Sequence, residues 1–197
     1  MDRESLHRWA DMLRHNAVGT HDIEQDIQTP FLHWATSSTR TNDAPPRFDD
    51  DRLWQLVVRN DHSIPIPIDD DGPLLGTRRD SLALEVWTEC ELSSLQALVW
   101  LALQQSSRTL LDRAAMASRW HLEHTQPDNA TNRPWGIPAF LTLALRTPPL
   151  ARESELYAST LLHNTLVTSG APDTLSARVL ADAARQIDAL LASPLLD

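Results

Sequence analysis

The stretch DTLSARVLADAARQIDALLAS, residues 173–193, carries the most regular hydrophobic period in the chain and decides its fold class. Val179, Leu180, Ala183, Ala184, Ile187, Leu190 and Leu191 recur at intervals of three and four. A helix stacks such positions on one face, whereas a strand would divide them between two. Asp173 stands where a helix N-cap belongs, and Gly170 and Pro172 end whatever precedes it. The period therefore predicts an amphipathic helix that needs a partner for its apolar face.

Working backward from that helix, the same period predicts four more. One covers 153–169. Another starts at Pro134-Trp135 and ends at Pro148-Pro149, because proline suits a first helical turn and blocks an interior one. A third, 109–125, sets Leu111, Ala114, Ala115, Ser118, Leu122 and Thr125 on one face, with Ala117 and Trp120 toward another. Its small residues allow close helix approach. The fourth, 82–105, has Val86, Leu92, Leu95, Val99 and Leu103 on an apolar surface and Glu85, Glu89, Ser93 and Gln96 as a polar stripe. A long helix, a short connection and an Ala-rich helix occur at 82–125 and again at 153–193, which predicts stacked antiparallel helical hairpins.

Toward the N-terminus, Leu6, Trp9, Ala10, Leu13 and Ala17 predict a helix over 3–15 with Gly19 as its stop. Residues 22–28 read as a short helical piece, and Phe31, Leu32 and Trp34 as a hydrophobic anchor. The run Leu53-Trp54-Gln55-Leu56-Val57-Val58 has strand composition, and Ile64-Pro65-Ile66-Pro67-Ile68 alternates as an extended or polyproline segment does. Residues 36–80 are thus expected to form an extended, proline-containing arm over a helical body. The organisation predicted is a single domain: N-terminal helix and anchor (1–35), arm (36–80) and hairpin body (81–197).

Charge narrows the partners. The chain of 197 residues has 27 acidic and 17 basic side chains, a net charge of −10, and the acidic excess is shared by both halves. Polyanions and anionic membrane surfaces are repelled, so neither nucleic acid nor membrane is an expected partner. Every basic residue is Arg, which removes lysine Schiff-base chemistry and the P-loop lysine. With only five Gly, glycine-cradled phosphate loops are excluded as well. No apolar segment follows the charged start Met1-Asp2-Arg3-Glu4, so a cytoplasmic protein is expected. The lone Cys90 has no internal disulfide partner and reads as a small core residue.

The run Ala115-x-x-Ser118-Arg119-Trp120-His121-Leu122-Glu123-His124-Thr125-Gln126-Pro127-Asp128-Asn129 resembles the end of a hairpin in α/α-toroid proteins, the group that includes six-hairpin glycosidases and terpene cyclases. The resemblance extends over 82–193, less than a complete ring, and rests on the Trp and the Gln-Pro-Asp turn. It implies a helical layer whose loops at one end line a polar concavity, as in that group's sugar or isoprenoid sites.

Several polar residues are candidates for chemistry. Glu85 and Glu89 stand one helical turn apart, and Glu91 follows closely. Were their face buried, repulsion and desolvation would raise one carboxyl as a general acid requires; exposed, they are solvated charges. His121 and His124 lie three apart with Asp128 as a further oxygen donor, but lack the spacing and glutamate of zinc-protease helices, so packing roles and no metal are expected. His163, grouped with Leu156, Thr160 and Val167, is expected to face inward beside Asn164. Asp128, Asn129 and Asn132 serve as turn caps or, with Trp135 as an aromatic plate, as a cradle for sugar hydroxyls. The aspartate runs 49–51 and 69–71 lack the alternation of a calcium loop and read as solvated acids. No Ser-centred elbow exists.

Taken together, the sequence predicts a mainly α protein that acts as a binding or assembly module, self-associating or with a protein partner, without cofactor. The alternative is a carbohydrate- or polyol-acting enzyme. Its catalytic groups would be Glu85, Glu89, His121 and His163, and Asp128, Asn129, Asn132, Trp135 and Asn164 would hold a small polar ligand.

Overall fold

Seven α-helices and no strand occur among the described residues of the computed structural model, which are 1–17, 49–59, 66, 72–76, 83–127, 131–167 and 170–196. In chain order the helices are α1 (Arg3–Ala17), α2 (Asp49–Arg59), α3 (Leu84–Gln104), α4 (Arg108–His124), α5 (Ile137–Arg146), α6 (Ala151–Val167) and α7 (Thr174–Ala192). Single 3₁₀ turns, Pro148–Leu150 and Pro194–Leu196, precede α6 and follow α7. The protein is mainly α, as its periodicity predicts. No described helix is long and apolar enough to cross a membrane.

The helices begin where local chemistry satisfies their free N–H groups. The Ser107 hydroxyl accepts the Leu110 N–H at 3.3 Å to start α4, and Asp173 accepts the Ser176 N–H at 2.7 Å to start α7. α5 starts later than the sequence suggests: Pro138, not Pro134, occupies its first turn, after Gly136 at φ 78°. A Cβ at Gly136 would stand 3.1 Å from the Leu92 carbonyl oxygen, so glycine answers both a left-handed turn and a close approach to α3.

α3 and α5 form the centre. Every residue of α5 from Ile137 to Ala144 is buried, the mark of a helix enclosed on all sides. It packs against α3, α4, α6 and α7, while α3 also meets α2, α4 and α7. α3 and α4 run antiparallel, since Trp87 at the start of one meets Trp120 near the end of the other. α5 and α6 form a second hairpin in which Phe140 and Tyr157 stack at 4.2 Å. α1 lies along α7, burying Leu6, Trp9 and Leu13. One connected apolar cluster runs through all these elements, from Leu6 to Leu195.

Three expectations are corrected. The run 53–58 is helix α2, not extended chain. Leu53, Trp54, Leu56 and Val57 are buried together on one side, and Asp50, read from sequence as a solvated acid, is buried too, 4% exposed. β-branched composition is overridden by packing: the Trp54 indole donates to Ser93 Oγ at 2.8 Å and lies 6.0 Å from the Trp135 ring. Second, the repeat at 153–193 does not make a hairpin of its two helices. The principal neighbour of α6 is α5, and that of α7 is α1. Third, Val86, placed on the apolar face of its helix, is 42% exposed, whereas Ser93 and Gln96 of the polar stripe are buried. Of the arm, Ile66 packs against the core and 72–76 are described below; the other isoleucines, the piece at 22–28, the anchor at 31–34, Gly19 and the acidic run 69–71 lie outside the described residues.

Candidate functional site

Glu91 and Arg113 are the two buried charged side chains of the α3–α4 hairpin, 2% and 7% exposed. Both bond to the main chain of residues 73–76. One Glu91 oxygen accepts the Leu75 N–H at 3.0 Å and the other accepts the Gly76 N–H. Arg113 donates through Nη1 to the Pro73 carbonyl at 3.0 Å and through Nη2 to the Leu74 carbonyl. Leu75 is buried in the core cluster, 4% exposed, while Pro73 is exposed. A carboxylate and a guanidinium on neighbouring helices thus clasp four consecutive residues, taking donors on one side and acceptors on the other.

Beneath the clasp lies His121, fully buried among aromatic rings. Trp120 meets it edge-on at 5.3 Å and Trp87 tilts over it at 6.3 Å. Its Nδ1 stands 3.2 Å from Thr125 Oγ1, which is 2.6 Å from the Tyr157 hydroxyl. Its Nε2 has no hydrogen-bond partner and lies 3.8 Å from Glu91 Oε2, beyond bonding distance. Thr125 Oγ1 donates its one proton to the His121 carbonyl at 3.0 Å, so it accepts from Nδ1–H and from the Tyr157 hydroxyl, and Nε2 is the unprotonated nitrogen of the neutral ring. Burial pushes the Tyr157 phenol up to about 12, against the lowering effect of its bond with Thr125, which keeps it a donor at neutral pH.

A second buried polar group joins α3 to α7. Asp182 accepts from Gln96 Nε2 at 2.6 Å and from the Trp100 indole at 3.0 and 3.1 Å. Gln96 Oε1 takes the Gly136 N–H at 3.1 Å, and Gln186 Nε2 donates to the Gln96 carbonyl at 2.8 Å. Burial pushes the Asp182 carboxyl up to about 7, opposed by the bonds from Gln96 and Trp100 and by the charge of Arg185.

The residues nominated by sequence do not share one site. Glu85 is exposed, and Glu89 is half-buried and paired with Arg133 at 3.3 Å, which also reaches Asp173. His163 is exposed, correcting its inward assignment: the face it shares with Leu156 and Val167 points to solvent, and α6 buries Tyr157, Ala158, Leu161 and Leu162 instead. Asn132 is exposed, whereas Trp135 is core, so the two do not form a plate beside an amide. Asn164 donates to the Pro127 carbonyl at 2.8 Å and anchors the loop after α4. His121 and His124 diverge, the first buried and the second exposed, stacked on Trp120 at 4.6 Å and bonded to the Trp120 carbonyl. Cys90 is half-buried. Asp128 and Asn129 lie outside the described residues, and among those described no three His, Cys, Asp or Glu converge as metal ligands.

Sequence reasoning passed over Arg113, Tyr157 and Asp182, placed Thr125 and Gln96 on helix faces without a role, and gave Glu91 no separate role. The signal existed for Glu91: it stands four residues from both Trp87 and Leu95, a charge set within an apolar helical face. Compared with known proteins, the chain matches no family model, no curated protein and no solved structure.

Proposed function

We propose that this chain is a non-catalytic helical binding or assembly module. The observation that carries the reading is the clasp: the charged groups buried between α3 and α4 hold polypeptide backbone through four contacts to main-chain atoms. A reaction on a polyol needs an acid and a base facing one substrate. Glu85 and His163 are exposed, Glu89 is bonded to Arg133, and His121 is sealed under aromatic rings. The α3–α4 and α5–α6 hairpins are read as part of a toroid-like helical layer, a scaffold that presents such contacts on rigid elements.

The test has two arms. Purified full-length chain is assayed for hydrolysis or transfer on glycosides and polyols, and its mass is followed by light scattering as concentration rises. The expected outcome is no turnover and a mass that grows beyond one chain. Turnover that Glu89→Gln or His121→Asn removes would overturn the reading, and a monomer at every concentration would remove its self-assembly form.

A further inference from the structure

Resting on the binding-module reading, we propose that the Glu91–Arg113 clasp is a peptide-binding site, filled in this chain by its own residues 72–76, which also takes in trans a Pro-Leu-Leu-Gly segment of another polypeptide. The clasp reads main chain. It needs two consecutive carbonyls for Arg113 followed by two consecutive N–H groups for Glu91, which any segment of the same backbone shape supplies. The only side chain it demands fully is the leucine at position 75, which is 4% exposed. The two charges of the clasp cancel, so the chain's net charge of −10 does not bar a neutral segment.

The resident segment is also an incomplete occupant. His121 Nε2 is fully buried, has no hydrogen bond, and faces the clasp carboxylate from 3.8 Å. An unsatisfied buried polar atom is unfavourable. A segment seated so as to offer an N–H to this nitrogen would complete the set of bonds. Tethering gives residues 72–76 a high effective concentration, so a trans segment binds best when the internal one is lifted.

The probe is the capped pentapeptide Ac-Gly-Pro-Leu-Leu-Gly-NH2, fluorescently labelled, with full-length protein. Leu75→Asp unseats the internal segment. It should bind the probe saturably and about tenfold or more tighter than wild type, because the tethered competitor is gone. Adding Glu91→Gln, or replacing the second leucine of the probe by aspartate, should abolish binding. If Leu75→Asp loses its helical circular dichroism, Leu75→Ala, a milder release, carries the same measurement. In wild-type protein, excess unlabelled peptide should speed amide exchange at Leu75 and Gly76 and shift the His121 ring resonances. A folded Leu75 variant without saturable binding, or unchanged exchange at high peptide concentration, overturns the proposal. Failure here with no glycoside turnover leaves the module reading standing, whereas turnover dependent on Glu89 or His121 removes that reading whatever the peptide does.

Discussion

Two glycines separate backbone conformation from packing. Gly136 and Gly170 both have positive φ, 78° and 71°, but a Cβ at Gly136 meets the Leu92 backbone while one at Gly170 meets nothing within 4 Å. Gly170→Ala is therefore expected to cost about 1 kcal/mol, the left-handed penalty alone, and Gly136→Ala roughly 2 to 3, because α3 must also shift. Urea unfolding of the two variants measures the difference, and equal losses would show that the contact with α3 is irrelevant. Glu91 is the other telling residue. Glu91→Gln keeps its shape but leaves one accepting oxygen and sets an N–H2 against the other backbone N–H, so one bond becomes neutral, the other is lost, and a loss of at least about 2 kcal/mol is expected. Exchange of the Leu75 and Gly76 amides should accelerate, as hydrogen exchange read by NMR will show.

Elements here are decided by their ends as much as by their faces. α7 has the clean period that the sequence displays, and its Asp173 cap is held below the usual carboxylate range: partial burial pulls it upward but is outweighed by the Ser176 bonds and the charge of Arg133. Asp173→Ala and Ser107→Ala should each lower stability by about 1 kcal/mol, the usual worth of a cap. Since the Arg133 pair is largely exposed, Asp173→Asn, which keeps the cap, should recover most of that loss in thermal unfolding. α2 shows the reverse case. Leu53 to Val58 reads as strand because its residues favour strands, and becomes helix because Trp54 has a polar partner and an aromatic neighbour only when 53, 54 and 57 share a face. The tertiary partners, Ser93 and Trp135, are 39 and 81 residues away along the chain, separations that no local window covers.

Across the molecule, the buried Asp182 network makes stability depend on pH. Its carboxyl titrates near 7 when folded and near 3.8 when unfolded, so between those values the folded state binds more protons. The contribution of Asp182 to stability is then greatest below about 4, falls as pH rises toward 7, and levels off above it, a change of about 4 kcal/mol at the upper bound. Asp173 and Asp2 are shifted the other way and act only as pH falls below about 4. Asp182→Asn should flatten the slope between pH 4 and 7 in denaturant titrations while lowering stability overall, because in either orientation its N–H2 faces a donor, the Gln96 amide or the Trp100 indole. A slope that survives the substitution would assign the effect to another group.

The helical class, the cap at Asp173 and the amphipathic faces of α1 and α7 follow from the amino-acid sequence alone, because period and capping are local and act within a few residues. Which helices are neighbours, that α6 lies on α5 rather than chiefly on α7, and which polar groups enter the interior were decided only by tertiary structure. Glu85 and Glu91 are the same residue type on one helix, and Asn132 and Gln96 carry the same amide. Only packing by segments remote in sequence puts the first of each pair in water and buries the second among groups that satisfy it.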